Sequence, residues 1–385
     1  LVEPCHCQSK HLLFFVTEDW YFCSHRLPLA QAAIAAGYRV TLVTRVRKYG
    51  EQIRRSDIQL IPLEINRRSL NPLRELFLII KLLIIYRRER PDIVHHVAMK
   101  PVVYGTMVAY LTGIAGVVNA LAGLGFLFTS RQLLARILKP IMQIALRWLL
   151  NGANQIIVQN PDDLQLLCDR MGIAKSKVHL IYGAGVDLNV FSFVPIPKPA
   201  PTNPIILLPA RLLWDKGVGE FVAAASILRN WGLIVRCVLV GIPDLGNPAA
   251  VPEATIHTWV QSGVIEWWGY RADMPAVIQQ CNIVCLPSYY GEGLPKVLAE
   301  AAACGRPIVT TDTPGCREVV EQGVNGLLVP IQDAIALANA LAELVHNPEL
   351  QVVYGQAGRE LAMAKFGSEK IIAATLKVYS IETLG

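Results

Sequence analysis

The chain reads as an α/β protein of two doubly wound, Rossmann-like domains followed by a closing helix. Three observations predict this. Short apolar runs alternate with helical patterns along the whole chain, and continuous apolar strands separated by helices imply parallel sheets covered on both faces. The 385 residues suffice for two domains of ordinary size. Between the halves, Val194-Pro-Ile-Pro-Lys-Pro-Ala-Pro-Thr-Asn-Pro204 places five prolines in eleven residues, a stiff extended segment that neither sheet can absorb.

In the first half, strands are expected at His11–Thr17, Arg39–Arg45, Gln59–Leu63, Ile93–Ala98, Val117–Leu121, Gln155–Gln159 and Val178–Tyr182. Each is a run rich in β-branched or aromatic residues, bounded by turn or helix patterns. In the second half the runs Ile205–Pro209, Arg236–Val240, Val264–Trp268, Ile283–Pro287, Pro307–Thr311 and Gly326–Val329 repeat the theme. A small-residue helix is expected to open at Pro295, since proline suits a first helical turn. Phe366–Leu384 reads as the last helix. The predicted domains are thus residues 1–194 and 205–365, with 366–385 as a helix able to pack back on the first domain.

Composition narrows the class. Hydrophobic residues make up 53% and charged ones 17%, which argues against disorder. The longest aliphatic run, Leu76–Tyr86, is too short to span a bilayer and carries Lys81 at its centre. No signal peptide is recognisable, and the chain does not begin with Met. Nine scattered cysteines inside apolar runs suggest reduced, buried thiols in a cytosolic protein. Cys5-His6-Cys7 and Cys281/Cys285 lack a matched second ligand pair, so no metal site is expected. Charge is uneven. Residues 1–190 hold 23 basic and 13 acidic residues, a net of +10, and residues 191–385 hold 13 and 17, a net of −4. A basic half suits an anionic lipid surface or a phosphorylated substrate. Nucleic acid is disfavoured because the cations stand among aliphatic rather than aromatic residues.

The motifs with chemical content lie where strands of the second half end, which is where open parallel sheets bind ligands. After Ile205–Pro209 comes Ala210-Arg-Leu-Leu-Trp-Asp-Lys-Gly217, placing Arg211 and Lys216 in a loop that leads to a helix. Arg offers a planar fork and Lys a point charge, a pair suited to a diphosphate. After Ile283–Pro287 comes Gly291-Glu-Gly-Leu-Pro295. The N–H groups of Gly293 and Leu294, at a helix amino end, can face phosphate. Glu292 precedes that helix. Glu300 lies within it among Ala299 and Ala301–Ala303, and one carboxylate can accept from both hydroxyls of a ribose.

Arg211 and Lys216, followed by Glu292-Gly-Leu-Pro-Lys-Val-Leu-Ala-Glu300 and Gly305-Arg-Pro-Ile-Val309, resemble the donor half of retaining GT-B glycosyltransferases of family 4, with their Glu-x7-Glu spacing. Ser24-His-Arg-Leu-Pro28, Arg68-Ser-Leu-Asn-Pro72, Gly123-Leu-Gly125 and Ala210–Gly217 are similar to bacterial members acting on polyprenyl-diphosphate-linked sugars. The resemblance implies a GT-B fold with an interdomain cleft. It implies Arg211 and Lys216 on the donor diphosphate, Glu300 on the nucleotide ribose and Glu292 on the donor sugar. Gly293 and Leu294 would present amides, and Arg271 would meet the base. The first half departs from the family. Thr17-Glu-Asp-Trp-Tyr-Phe-Cys-Ser-His-Arg26 replaces a Gly-Gly loop, and Ile93-Val-His-His-Val97 places Val97 where the second histidine of His-x-His would stand. Arg26, His95, His96 and Lys100 are the candidate acceptor ligands.

No Asp-x-Asp pair occurs. With two cations and a helix amino end to stabilise the leaving group, the expected reaction needs no metal and no cofactor beyond the nucleotide-sugar donor, expected to be UDP-linked. Two basic aliphatic segments, Arg67–Arg90 and Arg131–Leu150, suggest peripheral docking on the inner face of the cytoplasmic membrane. The competing expectation is a nucleotide-sugar epimerase on the same architecture, and a third is a non-catalytic sugar- or nucleotide-binding module.

Overall fold

The computed structural model describes residues 9–66, 71–124, 146–152, 155–196 and 202–381. The chain forms two compact units, one of residues 1–122, 130–184 and 371–385, the other of residues 123–129 and 185–370.

The first unit is a seven-stranded parallel sheet, β1 (His11–Glu18), β2 (Arg39–Arg45), β3 (Gln59–Pro62), β4 (Ile93–Val97), β5 (Gly116–Ala120), β6 (Gln155–Val158) and β7 (Val178–Leu180), in the order β3-β2-β1-β4-β5-β6-β7. Every residue of β1, β4, β5 and β6 is buried, the outcome expected when helices cover both faces. These are α1 (Asp19–His25), α2 (Leu27–Ala35), α3 (Gly50–Arg54), α4 (Pro72–Glu89), α5 (Met99–Thr112) and α6 (Pro161–Gln165). The core joins Phe14, Phe22, Leu42 and Val118 to Ile371, Val378 and Tyr379 of the last helix.

The second unit is a six-stranded parallel sheet, β8 (Ile205–Pro209), β9 (Arg236–Val240), β10 (Glu266–Trp267), β11 (Ile283–Leu286), β12 (Ile308–Thr311) and β13 (Gly326–Val329), in the order β10-β9-β8-β11-β12-β13. Its helices are α7 (Val218–Asn230), α8 (Glu253–Gln261), α9 (Met274–Gln280), α10 (Lys296–Ala303), α11 (Ala334–His346) and α12 (Pro348–Leu361). The last helix, α13 (Ser368–Ile381), begins in this unit and belongs to the first from Ile371 onward. Phe221, Leu239, Ile283 and Leu341 are among its core residues.

In each sheet the strand order reverses beside the first strand, between β1 and β4 and between β8 and β11. Such switch points open a crevice at the carboxyl ends of the strands. The long segment of the second unit starts at Gly185, ahead of the prolines. Arg359 explains why, donating to the carbonyls of Phe191 (2.9 Å) and Ala303 (2.8 Å) and so tying the segment before the prolines into that unit. Of the prolines, 197, 199 and 201 lie outside the described residues. Pro295 is the N-cap residue, not the first helical one, because its ψ of 107° is extended. The run Val264–Trp268 shrinks to the two-residue edge strand β10.

Among the described residues no helix is long and apolar enough to cross a membrane, and seven cysteines are free thiols. Cys5-His6-Cys7 and most of Arg131–Leu150 fall outside the described residues.

Candidate active site

The β8/β11 switch point is where the second unit concentrates charge. The chain leaves β8 through Arg211, makes a short 3-10 turn over Trp214–Lys216, and enters α7 after Gly217. It leaves β11 through the 287–295 loop and enters α10. The two loops are bound together: Ser288 Oγ and the Tyr289 N–H both donate to the Asp215 carbonyl at 3.1 Å.

On this frame Lys216 Nζ donates to Glu292 Oε1, and Ser288 Oγ donates to the same carboxylate oxygen at 3.0 Å. The Lys216 and Glu292 side chains are largely buried. Arg211 extends outward and donates to Asp244 Oδ2 at 2.8 Å. Asp215 lies among them, with Oδ1 buried and without a hydrogen-bond donor. Burial pushes its carboxyl above the ordinary value, against the pull of Lys216. A turn into α10, Glu300 is buried and pairs with Lys296 at 3.2 Å. Burial pushes its carboxyl up as well, with Lys296 opposing. The floor is fixed by Thr310 Oγ1, which donates to the Leu286 carbonyl at 2.6 Å, and by Thr311 Oγ1, which donates to the Ser288 carbonyl.

Glycine decides how closely the 291–293 loop can be packed. Gly315 has φ +82°, and a Cβ there would stand 2.3 Å from the Gly293 carbonyl oxygen. Gly217, at φ +75°, lies so near the Pro287 carbonyl that a Cβ would come within 2.1 Å. Both positions need the conformation and the space that only glycine provides.

The structure therefore brings together Arg211, Lys216, Glu292, Gly293 and Leu294 around one loop pair, with Glu300 on the adjoining helix. Arg271 stands apart, past the edge strand β10, with its guanidinium bidentate on Asp273 at 2.8 and 2.5 Å. Sequence reasoning missed Asp215, Ser288 and Gly315. A carboxylate flanked by Trp214 and Lys216 inside a cationic loop was a signal for the first. The other two depend on contacts between loops distant in sequence.

In the first unit, His95 and His96 point to opposite faces of β4, as successive strand residues must. Both are wholly buried. His95 Nδ1 shares a hydrogen bond with Tyr379 Oη at 2.5 Å. His96 lies between Tyr86 Oη at 2.9 Å and Asn119 Oδ1 at 2.8 Å. Burial, with Arg26 and then His96 adding to it, holds His95 well below the usual histidine range. Burial brings His96 down to about 4, despite Asn119. Both rings, expected among the acceptor ligands, lie in the core of the first unit in this structure. Arg26 is 3% exposed, and its Nε is buried without an acceptor. Lys100 donates to the Asn66 carbonyl at 2.6 Å and to Glu75 at 2.9 Å, anchoring the start of α5 to α4. A cavity of about 530 Å³, lined by Tyr86, Arg87, Arg90 and Asp92, opens at the amino ends of β4 and β5, the edge opposite the one where such sheets bind ligands.

Residues 193–361 match the family model described as glycosyl transferases group 1, and residues 11–160 match the one described as glycosyl transferase 4-like. An N,N'-diacetylbacillosaminyl-diphospho-undecaprenol alpha-1,3-N-acetylgalactosaminyltransferase of Campylobacter jejuni is 27% identical over 368 residues, which is 92% of this chain and 94% of that one. An alpha-maltose-1-phosphate synthase of Mycolicibacterium smegmatis is 32% identical over 206 residues, 51% and 49% of the two chains. Among solved structures, Anabaena HepE in complex with UDP superposes with a TM-score of 0.75 at 21% identity, covering 96% of this chain and 99% of that one. Sucrose-phosphate synthase of Thermosynechococcus elongatus superposes with a TM-score of 0.77 at 22% identity, covering 96% and 98%. At these identities the structural matches speak to the fold.

Proposed function

Because the chain belongs to the GT-B glycosyltransferases of family 4, we propose that it moves a hexose or N-acetylhexosamine, with retention, from a UDP-linked donor to a polyprenyl-diphosphate-linked saccharide in surface-polysaccharide or glycan assembly. The observation that carries this is the joining of Lys216 to Glu292 at the β8/β11 switch point, with Arg211 and the start of α10 beside them. Supporting it for the acceptor is the Campylobacter relative, which matches over nearly the full length of both chains and is named for a diphospho-undecaprenol sugar. Supporting it for the donor is the UDP complex of a structural neighbour.

Lys216 has three N–H donors and gives one to Glu292, leaving two for phosphate oxygens. Arg211 adds a planar fork, and the α10 amino end adds backbone N–H groups. Together they stabilise the charge that grows on the leaving nucleotide diphosphate, which is the basis for proposing a reaction without metal. Glu300, once ionised, accepts from the ribose hydroxyls. Glu292 orients the donor sugar. The bond from the anomeric carbon to the diphosphate oxygen breaks, the acceptor hydroxyl oxygen bonds to that carbon on the same face, and the hydroxyl proton passes to the leaving phosphate. Arg26 and Lys100 are the first-unit cations offered to the acceptor diphosphate. Such an acceptor would place the enzyme on the inner face of the cytoplasmic membrane.

The test is a screen of nucleotide sugars against a polyprenyl-diphosphate-sugar acceptor, with product mass and linkage read out. A product that keeps the donor's anomeric configuration and forms in excess chelator is expected. A changed sugar nucleotide formed without acceptor would mark an epimerase instead, and loss of turnover in chelator with rescue by Mg²⁺ would overturn metal independence.

A further inference from the structure

We propose that the outer face of α4 is a docking surface for an anionic lipid bilayer. α4 is apolar on two opposite sides. Leu78, Leu82, Ile85 and Tyr86 are buried in the first unit. Leu73, Leu76, Phe77, Ile80 and Ile84 are turned outward, with Leu73 76% and Phe77 and Ile84 each 59% exposed. At about 100° per residue, the five outward residues fall within an arc of roughly 100°, across the helix from the buried four. A helix serving only the core would be polar on that outer arc.

The surface continues beyond α4. α5 packs alongside it, and Tyr110 and Leu111 in the last turn of α5 are exposed. The helical stretch 146–152 lies against Tyr110, so closely that a Cβ on Gly152 would fall 1.0 Å from the Tyr110 hydroxyl oxygen. That stretch presents Trp148, 78% exposed. Tyrosine and tryptophan are the side chains that favour the level of lipid headgroups.

Charge selects the occupant. Arg74, Lys81 and Arg88 line one side of the apolar arc, Arg87 stands within it near the carboxyl end of α4, and all four are exposed. Lys81 lies over the Phe77 ring, 4.5 Å from its centroid, a long stem covering apolar surface with its charge outward. The carboxylates of α4 are withdrawn: Glu75 is held by Lys100 at 2.8 Å, and Glu89, whose side chain is buried, by Arg88 at 2.8 Å. The outer face is therefore apolar with cations of one sign. A second copy seated there would press these cations against their own kind, whereas an anionic bilayer takes both the apolar arc and the charge. This deepens the membrane partner of the proposed function, and its test involves no turnover, so either can fail while the other stands.

The experiment is flotation of the full chain with phosphatidylcholine vesicles, with and without phosphatidylglycerol, at low and high salt. Binding is expected with phosphatidylglycerol, weakened by salt. Reversing three cations, R74E, K81E and R87E together, is expected to lower it on the order of a hundredfold or more. The apolar variant, F77S with I80S and I84S, is expected to lose binding at both salt concentrations. Thermal unfolding of both variants is compared with the parent, and the charge variant, altered only at exposed positions, stands if the apolar one is unstable. Equal recovery with neutral and anionic vesicles, undiminished binding by the charge variant, or a dimer that the apolar variant abolishes would each overturn the proposal.

Discussion

Glu292 receives both the Lys216 ammonium and the Ser288 hydroxyl on one carboxylate oxygen, which fixes the carboxylate that orients the donor sugar in the proposed reaction. E292Q keeps the shape and removes the charge. Its turnover is expected to fall about a hundredfold, on the scale of losing one preorganised electrostatic contact, with the donor KM changed far less. Undiminished turnover would remove Glu292 from the proposed site. A second residue-scale effect belongs to the buried histidines. His96 holds its neutral form to about 4, whereas an unfolded histidine takes up its proton near 6.5. Its neutral burial thus adds stability that is complete above pH 6.5 and is lost as pH falls from 6.5 toward 4, at most about 3 kcal/mol. His95 acts in the same direction. Denaturant unfolding followed across that range should show the decline, and H96N should flatten it. Arg211, Lys216 and Glu292 were legible because they fall in loops past strand ends, and Glu300 because it is a carboxylate among the small residues of the helix that follows. Asp215 was legible only as a carboxylate inside a cationic loop, because its burial comes from the 287–295 loop packed on it from far along the chain.

At the scale of elements, the 291–293 loop is held by the close approach of Gly315. G315A adds a side chain at φ +82° and 2.3 Å from a carbonyl oxygen. G263A adds one at φ +68° with nothing within 4 Å, so it serves as the control for backbone strain alone. G263A is expected to cost about 1 kcal/mol and G315A about 2–3 kcal/mol. Denaturation midpoints measure both, and calorimetric titration with nucleotide should show weaker binding only for G315A. Equal costs would mean that the loop gives way freely. Each apolar run expected to be a strand is one, because continuous β-branched stretches between turn signals have few other ways to fold. Ends shifted where pairing decides them, as in β10, which keeps only the residues opposite Val238 and Leu239. The aliphatic body of α4 was visible in sequence, but its division into a core-facing and an outward side was not. Periodicity shows that apolar residues recur, and only the neighbours show which of them are covered.

At the scale of the molecule, two parallel sheets each have a switch point, and the second places its charged loops there, which followed from the alternation of strands and helices. The division of the chain did not. The proline run was the visible punctuation, yet the units part at Gly185, and the chain returns to its first unit at Ile371. Local patterns cannot report a return of this kind. Its clearest bond, His95 to Tyr379, joins positions 284 residues apart. Y379F is expected to cost about 1–3 kcal/mol, since it leaves a buried ring nitrogen of His95 without its partner. Removal of residues 368–385 takes Ile371, Val378 and Tyr379 out of the first unit's core and should abolish its cooperative unfolding. A cooperative transition of the first unit preserved after the truncation would show that α13 is dispensable, and an unchanged midpoint for Y379F would show that the His95 bond adds nothing. The order of synthesis gives this return a further consequence. A ribosome delivers all seven strands of the first sheet before residues 185–370 of the second unit, yet the helix that completes their core emerges only after those residues. The first unit must therefore wait through the making of the second with part of its apolar core open. A chain stalled or ended before α13 would display that open core, making it a surface for chaperones or for aggregation until that helix arrives.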